Sequence, residues 1–270
     1  MNIYKTLKIY SVTAVIVSLL GIALRIVSLF YFYDRDIGYY KAEAFLPDAF
    51  HILTCAMLAF AFSVIILLPS VRKKEYKTMC HSALSARCGA VFPICGIAVY
   101  ILYAAFSFMG NTRAYMYGEM GAGTYIELFS LLFGFLGIIY FSLFAAGKVG
   151  RGENHVYFGY AVILFFLMVL AKSYFDFFTT MNSPNKLLLQ LTLMAVMVYM
   201  LYEIRFSIGR AAPRLYSAVS LISIYLTAVC AIPGIAAYFC GVFTKREYLF
   251  CHFLSRLQCA FISPHALYRL

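Results

Sequence analysis

The sequence has no tryptophan and few charged residues. Asp, Glu, Lys and Arg make up only 12% of the 270 residues, whereas 64% of the residues are hydrophobic. Soluble globular domains carry about 25% charged and about 45–50% apolar residues. This composition excludes a soluble domain and a disordered chain, and it is typical of an integral membrane protein whose main partner is the lipid bilayer.

The sequence also lacks the motifs of the common cofactor and catalytic sites. It contains no P-loop, no GxGxxG, no HExxH, no GxSxG and, among its eight cysteines, no CxxC pair. We therefore expect no cofactor, no metal site and no disulfide framework. No residue is predicted to be catalytic, and an embedded enzyme that acts on lipid is only the third of the functional hypotheses.

Long apolar stretches are what the sequence does contain. About 20 apolar residues are needed for a helix to cross the hydrocarbon core. The sequence predicts an all-α, polytopic transmembrane bundle that forms a single domain over residues 1–270. Seven stretches meet that length: 9–32, 49–69, 88–109, 123–146, 156–178, 187–208 and 216–239.

The C-terminal tail allows two interpretations. Within 247–263, apolar residues recur at the spacing of one helical face, while Arg256 and Gln258 occupy the rest of the helix. The tail is therefore predicted to be either an amphipathic helix at the membrane surface or a short, polar eighth span.

The basic residues predict the orientation of the chain. The N-terminus and the segments 70–87, 147–155 and 205–215 hold twelve Lys and Arg residues, whereas the alternate loops 33–48, 110–122 and 179–186 hold four. Because basic residues collect in cytoplasmic loops, we predict a cell-membrane protein with a cytoplasmic N-terminus. The same distribution accounts for the net charge of +11, so nucleic acid is not expected as a partner.

Four ionisable residues lie inside the predicted spans, near their outer ends. Arg25 is in the outer part of span one, Glu127 is near the start of span four, and Lys172 and Asp176 are in the last two turns of span five. Gln190 begins span six at the same level. A charge at the bilayer centre costs about 2.5–3.5 kcal/mol on insertion scales, so these groups must pair with one another or reach water.

Two interpretations of this group remain open. In the first, Arg25, Glu127, Lys172, Asp176 and Gln190 form an outward-facing pocket that binds a small charged solute or ion, and the protein is a transporter or permease component. In the second, the charges form a structural ion-pair network or extend to the interface, and the protein is a non-catalytic scaffold or a membrane partner subunit. Lys172 and Asp176 are four residues apart, so they can pair on one helix face.

Prolines give local predictions. Ser183 followed by Pro184 is typical of a helix start, with a capping serine and a proline in the first turn. Pro93 and Pro233 fall inside predicted spans, where each removes one backbone hydrogen bond and usually kinks the helix.

Short motifs in the second half of the chain carry a family resemblance. They are Tyr174-Phe175-Asp176, the run Asn182–Lys186, Glu203-x-Arg205 and Ile232-Pro233-Gly234. In these motifs, mainly over 174–240, the chain resembles an uncharacterised family of multi-pass membrane proteins from Gram-positive bacteria. The resemblance implies a membrane protein with seven or eight spans. It implies no particular activity.

Overall fold

A computed structural model describes most of the chain. The described residues are 3–34, 37–41, 44–67, 90–110, 122–148, 154–175, 183–208 and 212–241. The predicted tail helix or eighth span at 247–263 and the predicted site residue Asp176 lie outside this part of the chain.

The described residues are almost entirely helical. A π-helical turn, Ser28–Phe32, extends the first helix and leads into a short hairpin of two strands, β1 (Tyr33–Asp34) and β2 (Tyr39–Tyr40), and a 3-10 turn at Asn154–Phe158 precedes the fifth helix. The strands are antiparallel, with Tyr33 opposite Tyr40. The helices are α1 (Ile3–Val27), α2 (Phe45–Leu67), α3 (Val91–Gly110), α4 (Ala122–Ala145), α5 (Gly159–Tyr174), α6 (Pro184–Ser207) and α7 (Pro213–Phe239).

Six of these helices are long and apolar enough to cross a membrane. The chain is therefore an all-α, multi-pass membrane protein. Helix α3 forms where the third span is predicted, but its apolar stretch among the described residues, Pro93–Phe106, is not one of these six. The predicted count of seven spans is thus not confirmed and remains a prediction.

Helix α7 lies at the centre of the bundle. Of its most apolar stretch 78% is buried, against 22–44% in the other five long helices. It packs against α1, α2 and α6. The remaining helices follow from α6: α5 packs against α6, α4 packs against α5, and α3 packs against α4. One core lies among α1, α2 and α7, around residues such as Met57 and Tyr225. The other lies among α3 to α6, around Tyr100 and Phe165.

A glycine brings α1 close to the central helix. A Cβ atom on Gly21 would lie 3.0 Å from Cγ2 of Val229 and 3.2 Å from the ring of Tyr225. Small residues permit this close approach of helices in membranes. Residues i and i+4 share one face of a helix, so Arg25, one turn beyond Gly21, also points toward α7.

The helix start predicted at Ser183 and Pro184 is confirmed. Ser183 is the N-cap of α6, its Oγ accepts a hydrogen bond from the backbone N–H of Lys186 at 3.3 Å, and Pro184 occupies the first turn. This cap fixes where α6 begins and therefore where Asn185, the next residue, lies in the bundle.

Three of the charged residues inside the helices lie at one end of the bundle. Because consecutive packed helices alternate in direction, the last turns of α1 and α5 lie at the same end as the first turns of α2, α4 and α6. The β1–β2 hairpin lies there too, and we call this the hairpin end. Arg25, Glu127 and Lys172 all belong to it.

Candidate functional site: the Arg25 cleft

Arg25 is deeply buried and bonds to neutral groups. Only 3% of its surface is exposed. Its Nη1 donates a hydrogen bond to the backbone carbonyl of Val229 at 2.9 Å, and its Nη2 donates to Oδ1 of Asn185 at 3.2 Å. The guanidinium therefore joins α1 to both α7 and α6.

The Val229 carbonyl accepts this bond because of Pro233. In a regular α-helix the carbonyl of residue i accepts a hydrogen bond from the N–H of residue i+4. Pro233 lies four residues after Val229 inside α7, and a proline has no N–H to donate. Arg25 supplies the missing donor, so the backbone irregularity in α7 and the buried charge in α1 compensate each other.

Two donors at this site have no partner among the residues that the structure describes. Nε of Arg25 and Nδ2 of Asn185 are buried and make no hydrogen bond to any of them. Within the described part of the chain, no carboxylate forms an ion pair with Arg25. Buried donors without partners are rare in proteins because each costs about 1–3 kcal/mol. The site therefore offers a positive charge and free N–H groups to an incoming acceptor.

Arg25 and Asn185 both line a cleft of about 360 Å³, which we call the Arg25 cleft. It lies at the hairpin end, with walls from α1, α2, α6 and the β2 strand. Its lining residues are Arg25, Tyr40, Phe50, His51, Thr54, Pro184, Asn185, Leu187, Leu188 and Leu191.

The electrostatics of the cleft favour an acceptor or an anion. Helix α6 directs its N-terminus, the positive end of its dipole, at the cleft. Burial raises the pKa of Tyr40 above its ordinary value of 10.0, while the positive charge of Arg25 offsets part of the rise. The Tyr40 phenol is therefore neutral at physiological pH and leaves the charge of Arg25 uncancelled.

Glu127 and Lys172 form a separate, closed pair. Nζ of Lys172 lies 2.6 Å from Oε1 of Glu127 and joins α5 to α4. The ammonium also lies 6.0 Å and 5.9 Å from the ring centroids of Tyr100 and Tyr103 on α3. The side chains are 8% exposed for Glu127 and 24% for Lys172. Charge is thus balanced here by the protein itself.

The residues predicted to form one site fall into two groups. Glu127 and Lys172 are brought together, whereas Arg25 has the partners described above. Gln190 lies half-buried on α6 and does not line the Arg25 cleft. Asp176 lies outside the described residues, so its predicted place in the pocket remains a prediction. Lys172, predicted to be able to pair with Asp176 on its own helix, pairs across helices with Glu127.

Sequence reasoning missed both hydrogen-bond partners of Arg25. Asn185 was not predicted as a site residue, although its position just after the Ser183–Pro184 helix start places it at the same level as Arg25. The Val229 carbonyl was also missed, although Pro233 in the sequence indicates it. A proline inside a span identifies an acceptor four residues earlier that another group must satisfy.

Comparisons with known proteins add no assignment. No family model, no curated protein and no solved structure matches the chain. Within the described ranges, no group of three or more His, Cys, Asp or Glu residues could hold a metal ion. The geometry of the site is therefore the basis for assigning a function.

The Glu127–Lys172 pair should be energetically coupled. Either Glu127→Gln or Lys172→Met leaves the other, buried or half-buried, charge without its ionic partner, and we expect each to lower the free energy of unfolding by about 1–3 kcal/mol. The double variant should lose less than the sum of the two. Unfolding of the purified protein in mixed micelles measures all three variants. Additive losses would show that the two side chains do not interact.

Proposed function

We propose that this multi-pass membrane protein binds an anionic ligand in the Arg25 cleft, as the binding step of a transporter or permease component. One observation carries the proposal. The buried Arg25 lines a cleft and keeps one donor without a partner, and no carboxylate of the described chain neutralises its charge.

The buried charge of Arg25 has an energetic cost. Removing an ion from water costs several kcal/mol unless a counter-charge and hydrogen bonds compensate it. The Val229 carbonyl and the Asn185 amide oxygen supply dipoles, but they supply no net negative charge. An anion in the cleft would supply that charge and would accept hydrogen bonds from Nε of Arg25 and Nδ2 of Asn185. Hydrogen bonds to ionised groups are the strong ones.

The second candidate function is that of a scaffold or membrane partner subunit, and the Glu127–Lys172 pair favours it. That pair closes on itself and links α4 to α5, as a structural ion pair does. We assign the two sites different roles, with Glu127 and Lys172 holding the bundle and Arg25 binding the ligand. An enzymatic activity on lipid has no support from the described residues.

We also propose a cell-membrane location with the N-terminus in the cytoplasm, which places the hairpin end and the Arg25 cleft outside. The excess of basic residues in alternate loops supports this orientation. Membership of the uncharacterised Gram-positive family is likewise a proposal, supported by the motifs between residues 174 and 240.

Cysteine labelling tests the orientation. In a variant without the eight native cysteines, Ile37→Cys lies on the exposed hairpin and Lys148→Cys lies exposed after α4, at the opposite end of the bundle. We expect a membrane-impermeant maleimide to label Ile37→Cys in intact cells and Lys148→Cys only after permeabilisation. The reverse pattern would overturn the orientation while leaving the cleft unaffected.

Ligand-induced stabilisation tests the binding proposal. A panel of chloride, phosphate, acetate, octanoate and oleate is added to the purified protein, and thermal unfolding is recorded. At a hundredfold excess over Kd, a ligand specific for the folded state stabilises it by about 2.7 kcal/mol. We expect at least one anion to stabilise the native protein and Arg25→Gln to remove the effect.

Arg205→Gln is the matched control, because Arg205 is an exposed arginine at the other end of α6, over the Tyr202 ring. This control should retain the stabilisation in full. If no anion in the panel stabilises the native protein more than Arg25→Gln, the proposed binding function is wrong and the scaffold alternative is supported.

A further inference from the structure

We propose that the ligand of the Arg25 cleft is a single-chain amphiphile with a carboxylate head and an acyl chain, and that it reaches the cleft sideways from the lipid, between α2 and α6. This inference rests on the proposed binding of an anion at Arg25. It adds the chemical class of the ligand and its route.

The cleft has one polar end and one apolar wall. Arg25 and Asn185 form the polar end, and the apolar lining comes from Phe50 on α2 and from three leucines on α6. A small hydrophilic anion would leave this wall without a partner. A head group attached to a hydrocarbon chain would satisfy both parts, because the head accepts the hydrogen bonds and the chain packs against the apolar wall. The α6 leucines are Leu187, Leu188 and Leu191.

The apolar wall continues onto the outer surface of the bundle. Leu187 and Leu191 line the cleft and yet are 50% and 41% exposed. They begin a stripe of exposed apolar residues that recurs at helical spacing along α6. On a membrane-spanning helix such a stripe faces lipid, so the cleft is open to the hydrocarbon region. The stripe continues through Met194, Val198 and Leu201.

Helix α2 forms the other side of the opening. Helices α2 and α6 both pack along α7, and the cleft lies between them. His51 and Ile52 are exposed on α2 at this level, with Ile52 68% exposed. An acyl chain can therefore lie between the two helices, parallel to the neighbouring lipid chains, with its head at the hairpin end.

The size of the cleft indicates one chain. Ligand pockets range over roughly 300–1,000 Å³, and 360 Å³ is near the small end of that range. The cleft accommodates a head group and the first part of one chain, whose remainder lies in the bilayer. A carboxylate also matches the forked guanidinium, which presents parallel N–H groups to two oxygens.

The absence of tryptophan from the sequence allows a direct test. Ile52→Trp places a unique fluorophore beside the opening, and Ile66→Trp places one on α2 at the other end, where residue 66 is 79% exposed. Each variant is reconstituted in phosphatidylcholine nanodiscs and titrated with dibrominated stearate, whose bromines quench indole fluorescence on contact. A second titration uses a dibrominated phosphatidylglycerol.

We expect quenching in Ile52→Trp to saturate at low mole fraction of brominated stearate and quenching in Ile66→Trp to rise in proportion to it. Adding Arg25→Gln to Ile52→Trp removes hydrogen bonds to a charged group, which corresponds to roughly a ten- to hundredfold weaker affinity. The half-saturation point should shift by that factor. Unlabelled oleate should reverse the quenching, and acetate should not.

Four results would overturn the inference. Quenching in Ile52→Trp that is proportional shows that no acyl chain is held at the cleft, and saturable quenching that is independent of Arg25 shows that Arg25 does not hold the head group. Saturation with the phospholipid alone shows a two-chain ligand. Acetate that competes as well as oleate shows a water-soluble ligand, and the proposed anion binding then stands without the amphiphile. If the anion panel also fails to stabilise the protein, both proposals fail together.

Discussion

The hydrogen bond from the Arg25 guanidinium to the Val229 carbonyl is the interaction on which the arrangement of the hairpin end depends. It joins a charge that lipid cannot solvate to a carbonyl that its own helix cannot satisfy. Gly21 brings α1 and α7 close enough for this bond, and Pro233 leaves the carbonyl free. Asn185 then fixes the other side of the guanidinium to α6, so three helices meet at one side chain.

Arg25 and the Glu127–Lys172 pair illustrate different solutions to the same constraint. Lys172 has a carboxylate at 2.6 Å and two aromatic rings beside it, so its charge is compensated by the chain. Among the described residues, Arg25 has only neutral partners and its Nε makes no hydrogen bond. A guanidinium held by neutral dipoles keeps its attraction for anions, whereas a paired ammonium loses most of it. The first arrangement suits binding and the second suits cohesion of the helices.

Much of the fold could be predicted from the sequence because lipid imposes one rule on every span. Apolar length alone locates six helices, and Ser183 with Pro184 locates the start of one of them. The charged side chains could be placed at one end for the same reason. Their partners could not be predicted, because spacing along the chain reveals neighbours only on the same helix. Lys172 reaches across to Glu127 on α4, a contact that depends on how α4 and α5 pack.

The Arg25 cleft was harder to predict for a further reason. One of the two groups that bond to Arg25 is a backbone carbonyl. Every residue has one, so the residue type does not distinguish it, and only the proline four residues later indicates that it needs another donor. The other is Asn185, whose side chain carries no charge, so the pattern of ionisable residues does not identify it. A prediction from ionisable residues therefore selects the guanidinium as a candidate, but it could not reveal the neutral groups that bond to it.

The central claim is that the free donors of Arg25 and Asn185 are satisfied by a ligand. An electron cryo-microscopy map of the protein in native-lipid nanodiscs measures this most directly. The account predicts density for an anionic head group at about 3 Å from Nε of Arg25 and Nδ2 of Asn185, continuous with a chain between α2 and α6. A carboxylate of the protein itself bonded to Nε of Arg25, with the cleft closed, would contradict it.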